Sequence, residues 1–402
     1  MLSRTHVRDS CFCAWGIAMR GICAWLLLLL ASLPVHAVAA AGDNQHLIVE
    51  ALRCRGNINT SCRFILGSVY LAAGDRLNEE ELRNAQLRLS WLRNFKSVEI
   101  HLEKGSERGK VVVVVDVSEA NPIAHEASIA TERLGESWTQ VVAGRVTDYD
   151  LFGSGKILDL QASARLPISG PELESVLARL QYVDPHLLDS QRYFMSAGLS
   201  RQHSHFVFNN GDSYEASTVA VDISVGRRLF NFSYLTLGYQ YRPLTEITCH
   251  VSPKANNSFD RRGTVLASLG RNTLDDPDFP TQGSLLQLYF SGPPDCSDHL
   301  SFQYDRIFRL GQAGFLEIHG QAGDFGIRYS HALRQTVLFR NIQRGRWYLE
   351  PGLRNVEYGI AQKGGTVRQF ALRAGVRFES RHLGIVDLSV YSTTDRRTEA
   401  GP

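Results

Sequence analysis

The chain has 402 residues, 44% hydrophobic and 21% charged, with 34 Gly, 13 Pro and a formal net charge of +2. That composition excludes a disordered chain, a collagen-like repeat and a bundle of membrane helices. Near-balanced charge provides no long-range field toward nucleic acid, so no nucleic-acid partner is expected.

Arg4, Arg8 and Arg20 lead into the apolar run 22–30, and Leu33-Pro34 precedes Ala37-Val38-Ala39-Ala40-Ala41. This is the pattern of a secretory signal peptide over residues 1–41, cut within 39–42. Residues 42–402 carry 40 basic and 40 acidic side chains and four cysteines, Cys54, Cys62, Cys249 and Cys296. An even number suits an exported, disulfide-permissive protein. No later apolar stretch approaches the ~20 residues of a membrane helix. The exported part is therefore either soluble or a membrane barrel, and periodicity decides.

Residues 46–121 read as strand, helix, helix, strand, strand. Leu47, Val49 and Ala51 share one face of the first strand, and Phe64, Ile65, Val69 and Leu71 mark a short helix that stops near Gly74-Asp75. Asn78 and Glu81 form a capping box ahead of Leu82, Ala85, Leu89 and Leu92 at helical spacing. Val98–Leu102 alternates, Lys104-Gly105-Ser106 turns, and Val111–Val117 is nearly all β-branched. Cys54 and Cys62 bracket a short step and are expected to form a local disulfide worth ~2–3 kcal/mol; two Cys alone are too few ligands for a metal. This order, with the string Leu92-Arg93-Asn94-Phe95-Lys96-Ser97-Val98, resembles a POTRA domain, here over 42–121.

From about residue 125 a two-residue period takes over. Leu158, Leu160, Ala162, Ala164 and Leu166 oppose Asp159, Gln161, Ser163 and Arg165. Val219, Val221, Ile223 and Val225 form one face of 218–225, as do Leu235, Leu237, Tyr239 and Tyr241 of 235–241. Phe370, Leu372, Ala374, Val376 and Phe378 do the same in 370–378. Segments of about ten residues with one apolar and one polar face predict an antiparallel transmembrane β-barrel over 122–402. A soluble sandwich has shorter strands, of about five or six residues. About fourteen strands are clear and 326–345 is ambiguous, so fourteen or sixteen are the expected even counts.

A first barrel strand over 126–133, directly after the POTRA-like domain, starts on the periplasmic side. Connections 148–156, 185–191, 227–231, 271–282 and 310–313 return there, while 203–213, 243–261 and 292–298 face outward. Cys249 and Cys296 both fall in outward loops and are expected to pair, two free thiols being the alternative.

Three of the periplasmic connections carry a more specific resemblance. Asp150-Leu151-Phe152-Gly153-Ser154-Gly155, then Tyr182-Val183-Asp184-Pro185, then a string from Arg271 to Gly283 containing Thr273, Asp275, Pro277, Phe279 and Pro280 follow one another in order. These strings resemble the turns of BamA/TamA-type outer-membrane assembly barrels of the bacterial surface antigen family. As chemistry they are turn formers, with Pro fixing φ, Gly supplying positive φ and Asp capping free N–H groups. The family also carries an Arg-Gly-aromatic tip on a lumen loop, of which Arg344-Gly345-Arg346-Trp347 is at best a remnant, and a last strand with a terminal aromatic residue, which this chain does not show.

The resemblance implies a mainly β outer-membrane protein with a periplasmic α+β domain that assists insertion or translocation of other proteins. Its implied partners are unfolded or nascent outer-membrane and secreted proteins, outer-membrane lipids, and periplasmic proteins or lipoproteins reached through the POTRA-like domain. A weak seam between the last strand and the first, marked by Ala127, Ile129 and Thr131, opens in this reading to a client strand. The alternatives are a secretion or passive pore, or a divergent member without insertase activity. The chain has no nucleophile elbow, P-loop or His-Glu-x-x-His, so no catalytic residue, cofactor or metal is expected. His203 and His205, two apart, read as a solvated loop pair, and Asp275, Asp276 and Asp278 lack calcium-loop spacing.

Overall fold

The computed structural model describes residues 47–393 apart from 135–136, 170–172, 208–212, 231, 252–253, 260–261, 277, 293–298, 322–323, 334–341, 359–364 and 381–383. The leader, Pro277 and Cys296 lie outside the described residues.

The first part is a small α+β unit: β1 (Leu47–Arg55), α1 (Cys62–Val69), β2 (Arg76–Leu77), α2 (Glu79–Ser90), β3 (Phe95–Lys104) and β4 (Lys110–Glu119). Its sheet order is β2-β1-β4-β3, with β1 and β4 parallel and β3 and β4 antiparallel. The expected helix over 61–71 is shorter. Ser61 caps its start by accepting from the Phe64 N–H at 3.3 Å, and Tyr70 ends it in the left-handed region, well before Gly74. The Asn78 side chain caps α2 by accepting from the Glu81 N–H at 2.7 Å, and the Glu81 carboxylate accepts in return from the Asn78 N–H. Val49, Ile65, Val69, Ala85 and Leu89 pack with Val113 and Val115 into one core, so the β-branched run on β4 serves as the floor on which both helices sit. Cys54 and Cys62 are disulfide-bonded, with a Cα–Cα distance of 5.8 Å.

The rest is a closed barrel. Its strands are β5 (Ile123–Leu134), β6 (Ser137–Leu151), β7 (Lys156–Ser169), β8 (Leu173–Asp184), β9 (Tyr193–Val207), β10 (Ser213–Phe230), β11 (Ser233–Val251) and β12 (Lys254–Phe259). They continue as β13 (Arg262–Asn272), β14 (Gly283–Gly292), β15 (His299–Leu310), β16 (Gly314–Gln321), β17 (Asp324–Ala332), β18 (Ile342–Tyr358), β19 (Gly365–Ser380) and β20 (Gly384–Thr393). Each pairs antiparallel with its neighbour in sequence, except that β12 pairs only with the far end of β11 and β13 takes over nearer the small domain. Among the described residues the wall therefore has fifteen staves, not fourteen or sixteen. Strand direction alternates around the meander, so an odd count leaves the first and last staves parallel, and β5 and β20 do close the ring in that way.

Two expected loops are strand. Residues 243–251 extend β11 and 254–259 form β12, the β-branched residues Thr245, Ile247, Thr248 and Val251 pairing with β10 and β12. Cys249 lies on β11, and its pairing with Cys296 falls outside the described residues. His203 and His205 belong to β9, not to a loop, with His203 3.8 Å from Glu215.

The alternation separates two environments. Val142, Leu160, Ile223, Leu237 and Leu388 point outward, while Arg145, Asp159, Arg328, Glu350 and Asp387 line the lumen. Lumen charges are paired: Arg328 lies 3.1 Å from Glu317 and 2.7 Å from Glu350, and Arg145 lies 2.5 Å from Asp159. Placing Arg at Ile223, mid-strand on the outward face, should lower the unfolding free energy in a bilayer by about 2–4 kcal/mol. Urea titration of the heat-modifiable gel band measures this.

Candidate functional site at the domain–barrel junction

The turns that return to the small domain are where that domain is held. Residues 152–155 link β6 to β7. The Asp150 carboxylate, buried, accepts from the Gly155 N–H at 2.7 Å and from the Thr60 hydroxyl at 2.7 Å. The Ser61 N–H donates to the Gly153 carbonyl at 2.8 Å. Gly153 and Gly155 both have positive φ, and a Cβ on Gly155 would meet the Phe64 ring at 2.2 Å. The Gly-x-Gly string is therefore required by a close approach between domains as well as by the turn itself. Leu151 closes β6 by pairing with Lys156.

The segment of the small domain that makes these contacts is the disulfide-bounded loop 56–61. The Glu119 carboxylate at the end of β4 gathers it, accepting from the N–H groups of Ile58, Asn59 and Thr60 at 2.8–3.0 Å. Partial burial pushes Glu119 up, but those backbone bonds outweigh it and hold the carboxyl below its ordinary range.

The next turn, 185–192, packs beside the first. The His186 ring stands 5.3 Å from that of Phe64, and Arg63 reaches Asp189 at 3.1 Å. Asp184 ends β8 and accepts from the His186 N–H at 3.0 Å, while the Pro185 carbonyl accepts from Arg228 at 2.9 Å. Trp91 lies 5.1 Å from Phe232, and the Asn94 amide donates to the Tyr149 carbonyl at 3.2 Å. Between these contacts is an aromatic cleft of about 470 Å³, walled by Tyr70, Trp91, Phe194, Phe232 and Tyr234.

The third string folds into the barrel mouth. Arg271 pairs with Ser233 on β11, and the Thr273 N–H donates to the Ser284 carbonyl at 2.8 Å. Asp275 accepts from the N–H groups of Thr281 and Gln282 and from the Thr281 hydroxyl. Gly283, at φ +108°, leaves no room for a Cβ against the Thr273 carbonyl. Phe279 is buried beneath the guanidinium groups of Arg344, Arg346 and Arg377 at 4.6–5.9 Å. Arg346 donates to the carbonyls of Phe279 and Pro280 at 2.9 and 2.7 Å, and Arg344 pairs with Asp276 and Glu379. Asp278 pairs with Arg93 of the small domain and lies 3.7 Å from Arg377 of β19. One carboxylate thus ties the small domain to a wall strand beside the seam. The loop leaves a lumen cavity of about 550 Å³.

The seam joins β5 to β20 over eight register pairs, Glu126↔Ile385 to Arg133↔Ser392. Ala127, Ile129 and Thr131 face outward, with Leu388 and Val390 exposed beside Ile129 and Thr131 and Val386 buried beside Ala127. The edge is not the short strand that the sequence suggested. β5 runs twelve residues and shares twelve pairs with β6. Thr60, Ser61, Trp91, Arg93, Asn94 and Phe232 escaped the sequence reading, although Trp91, Arg93 and Asn94 fall in or beside the string that suggested the small domain. Among the described residues no group of three or more His, Cys, Asp or Glu is placed to hold a metal ion.

Burial lowers the His186 imidazole from 6.5 to about 4, assisted by Arg228 and opposed by Asp184 and Asp189. The docked ring is neutral. Released into water it regains its ordinary value, so the undocked form binds the extra proton between about pH 6.5 and 4. Docking should be at full strength above pH 6.5 and weaker by about 2 kcal/mol at pH 5. A fluorescence-transfer pair spanning small domain and barrel should report this, and His186→Phe should flatten the dependence. In the same assay Thr60→Val, which strips a donor from buried Asp150, should weaken docking by about 1–3 kcal/mol at any pH.

A family model described as the Omp85 superfamily domain matches residues 150–305, from the first turn string to β15. The chain is 24% identical over 259 residues to the outer membrane protein assembly factor BamA of Nitratidesulfovibrio vulgaris. That match takes in 62% of this chain and 30% of the relative, so the chain spans less than a third of the relative's length. Among solved structures, CdiB from Escherichia coli superposes with a TM-score of 0.57 at 12% identity, over 84% of this chain and 70% of that one. CdiB from Acinetobacter baumannii superposes with a TM-score of 0.53 at 10% identity, over 84% and 68%. Both are likenesses of fold. The three turn strings that hold the small domain to the barrel all lie inside the matched span, and over that span the chain carries an Omp85 superfamily domain.

Proposed function

We propose that this protein assists the insertion or translocation of other proteins at the outer membrane of a Gram-negative bacterium, with the small domain acting as a periplasmic POTRA domain. The observation that carries the reading is the seam. β5 and β20 form the one parallel ladder among the described joints of the wall, a pairing slightly weaker per residue than the antiparallel ladders that flank it. A single client strand running opposite to both edges would replace it with two antiparallel ladders and bring the wall to an even count. Backbone polar groups then stay paired in lipid throughout the exchange.

The small domain supplies a place for the client to arrive. β3 lies at the edge of the four-stranded sheet and among the described residues pairs only with β4, so a client strand can add along it through backbone hydrogen bonds that do not depend on sequence. The role is binding and strand exchange, not catalysis. A resting passive pore is the less favoured reading because the 273–282 loop, clasped by Arg344 and Arg346, occupies the lumen mouth.

Ile129 and Leu388 are register partners across the seam. Oxidising the Ile129→Cys/Leu388→Cys protein should abolish client assembly in proteoliposomes, while each single substitution under the same oxidant stays active. Full activity in the locked protein would sink the proposal. Planar-bilayer conductance of the unmodified protein at rest is expected to be negligible, and to rise when Arg344 and Arg346 are both changed to Ala.

A further inference from the structure

Three apolar side chains stand apart from all others among the described residues. Phe152, Leu188 and Ile58 are 95%, 91% and 86% exposed, whereas no other large apolar side chain exceeds the 58% of Ile168. Phe152 and Leu188 also have φ of +58° and +55°. Gly or Asn would adopt that backbone more easily, so neither packing within the chain nor turn geometry accounts for large apolar residues there.

The three occupy neighbouring segments. Phe152 precedes Gly153, whose carbonyl accepts from the Ser61 N–H, and Ile58 is on the same loop as Ser61. Leu188 lies between His186, packed on Phe64, and Asp189, paired with Arg63. The hairpins that carry Phe152 and Leu188 are consecutive in the wall, β6-β7 and β8-β9. Val146, Leu160 and Leu180 line the outward face of those strands, and Tyr193 opens β9 on the same face at the domain end. The tips thus continue the outward apolar band beyond the strand ends, where a bilayer passes from hydrocarbon to headgroups.

We propose that Phe152, Leu188 and Ile58 insert into the interfacial layer of the leaflet on the domain side and pin the docked small domain against the lipid surface. The inference rests on the membrane reading given above, and its partner is phospholipid. The test is Trp placed singly at 152, 188 or 58 in the full chain, reconstituted into phosphatidylethanolamine/phosphatidylglycerol vesicles. Emission is taken as the difference from the unsubstituted protein, with Val146→Trp as a control for the lipid-facing band. At the tips, acyl chains brominated at carbons 6 and 7 should quench at least twofold more than chains brominated at 11 and 12, and aqueous iodide should have little effect. Quenching by iodide but not by bromine, with Val146→Trp still bromine-quenched, overturns the anchor and leaves the barrel intact. Shielding from both quenchers points to a protein contact and also overturns it. Absence of bromine quenching at Val146→Trp removes the membrane reading itself.

Discussion

Backbone N–H and C=O groups cannot be left bare in hydrocarbon, and a barrel meets that requirement only by closing on itself. In this protein closure has to be achieved with fifteen staves whose directions alternate. The first and last then point the same way, and the ring is sealed by one parallel ladder among antiparallel ones. Hydrogen bonding is complete enough to form a wall, yet one joint is parallel where the other described joints are antiparallel.

The small domain is attached through turns, and the attachment is polar where it is buried. Asp150 serves its own hairpin through Gly155 and the neighbouring domain through Thr60. Asp278 does something similar deeper in the mouth, between Arg93 and Arg377. A carboxylate with one partner on each body is a mechanical link: moving either body takes away one of the two groups that compensate a buried charge, which is costly. Arg377 lies on β19, one strand from the seam, so the position of the small domain and the state of the joint share a residue.

Much of this architecture was legible from the residues. Alternation in 157–166, 218–225 and 370–378 gave the outward and lumen faces, because a period of two leaves no choice of face once register is set. Strand parity counted from the small domain gave the side to which each connection returns, and Asn78 with Glu81 gave the start of α2. The stave count was not legible, because it depends on which weak segments join the wall, and 326–345 holds two strands with few outward apolar residues. Strand length beyond the barrel was also hidden. Residues 243–251 carry Glu246 and His250 and read as loop until their backbone partners on β10 are known. The second task of the Asp-Leu-Phe-Gly-Ser-Gly string was out of reach for a different reason. Its partners Thr60, Ser61 and Phe64 lie some ninety residues away, and nothing local distinguishes a glycine needed for a turn from one needed for a neighbour's ring.

The loop that grips Asp150 and Gly153 is closed at its base by Cys54 and Cys62. That bond removes conformations from residues 56–61, which the Glu119 carboxylate also gathers, before they meet the turn. The disulfide thus spends part of the loop's conformational freedom in advance, so the contacts to Asp150 and Gly153 are made by a segment that has less left to lose.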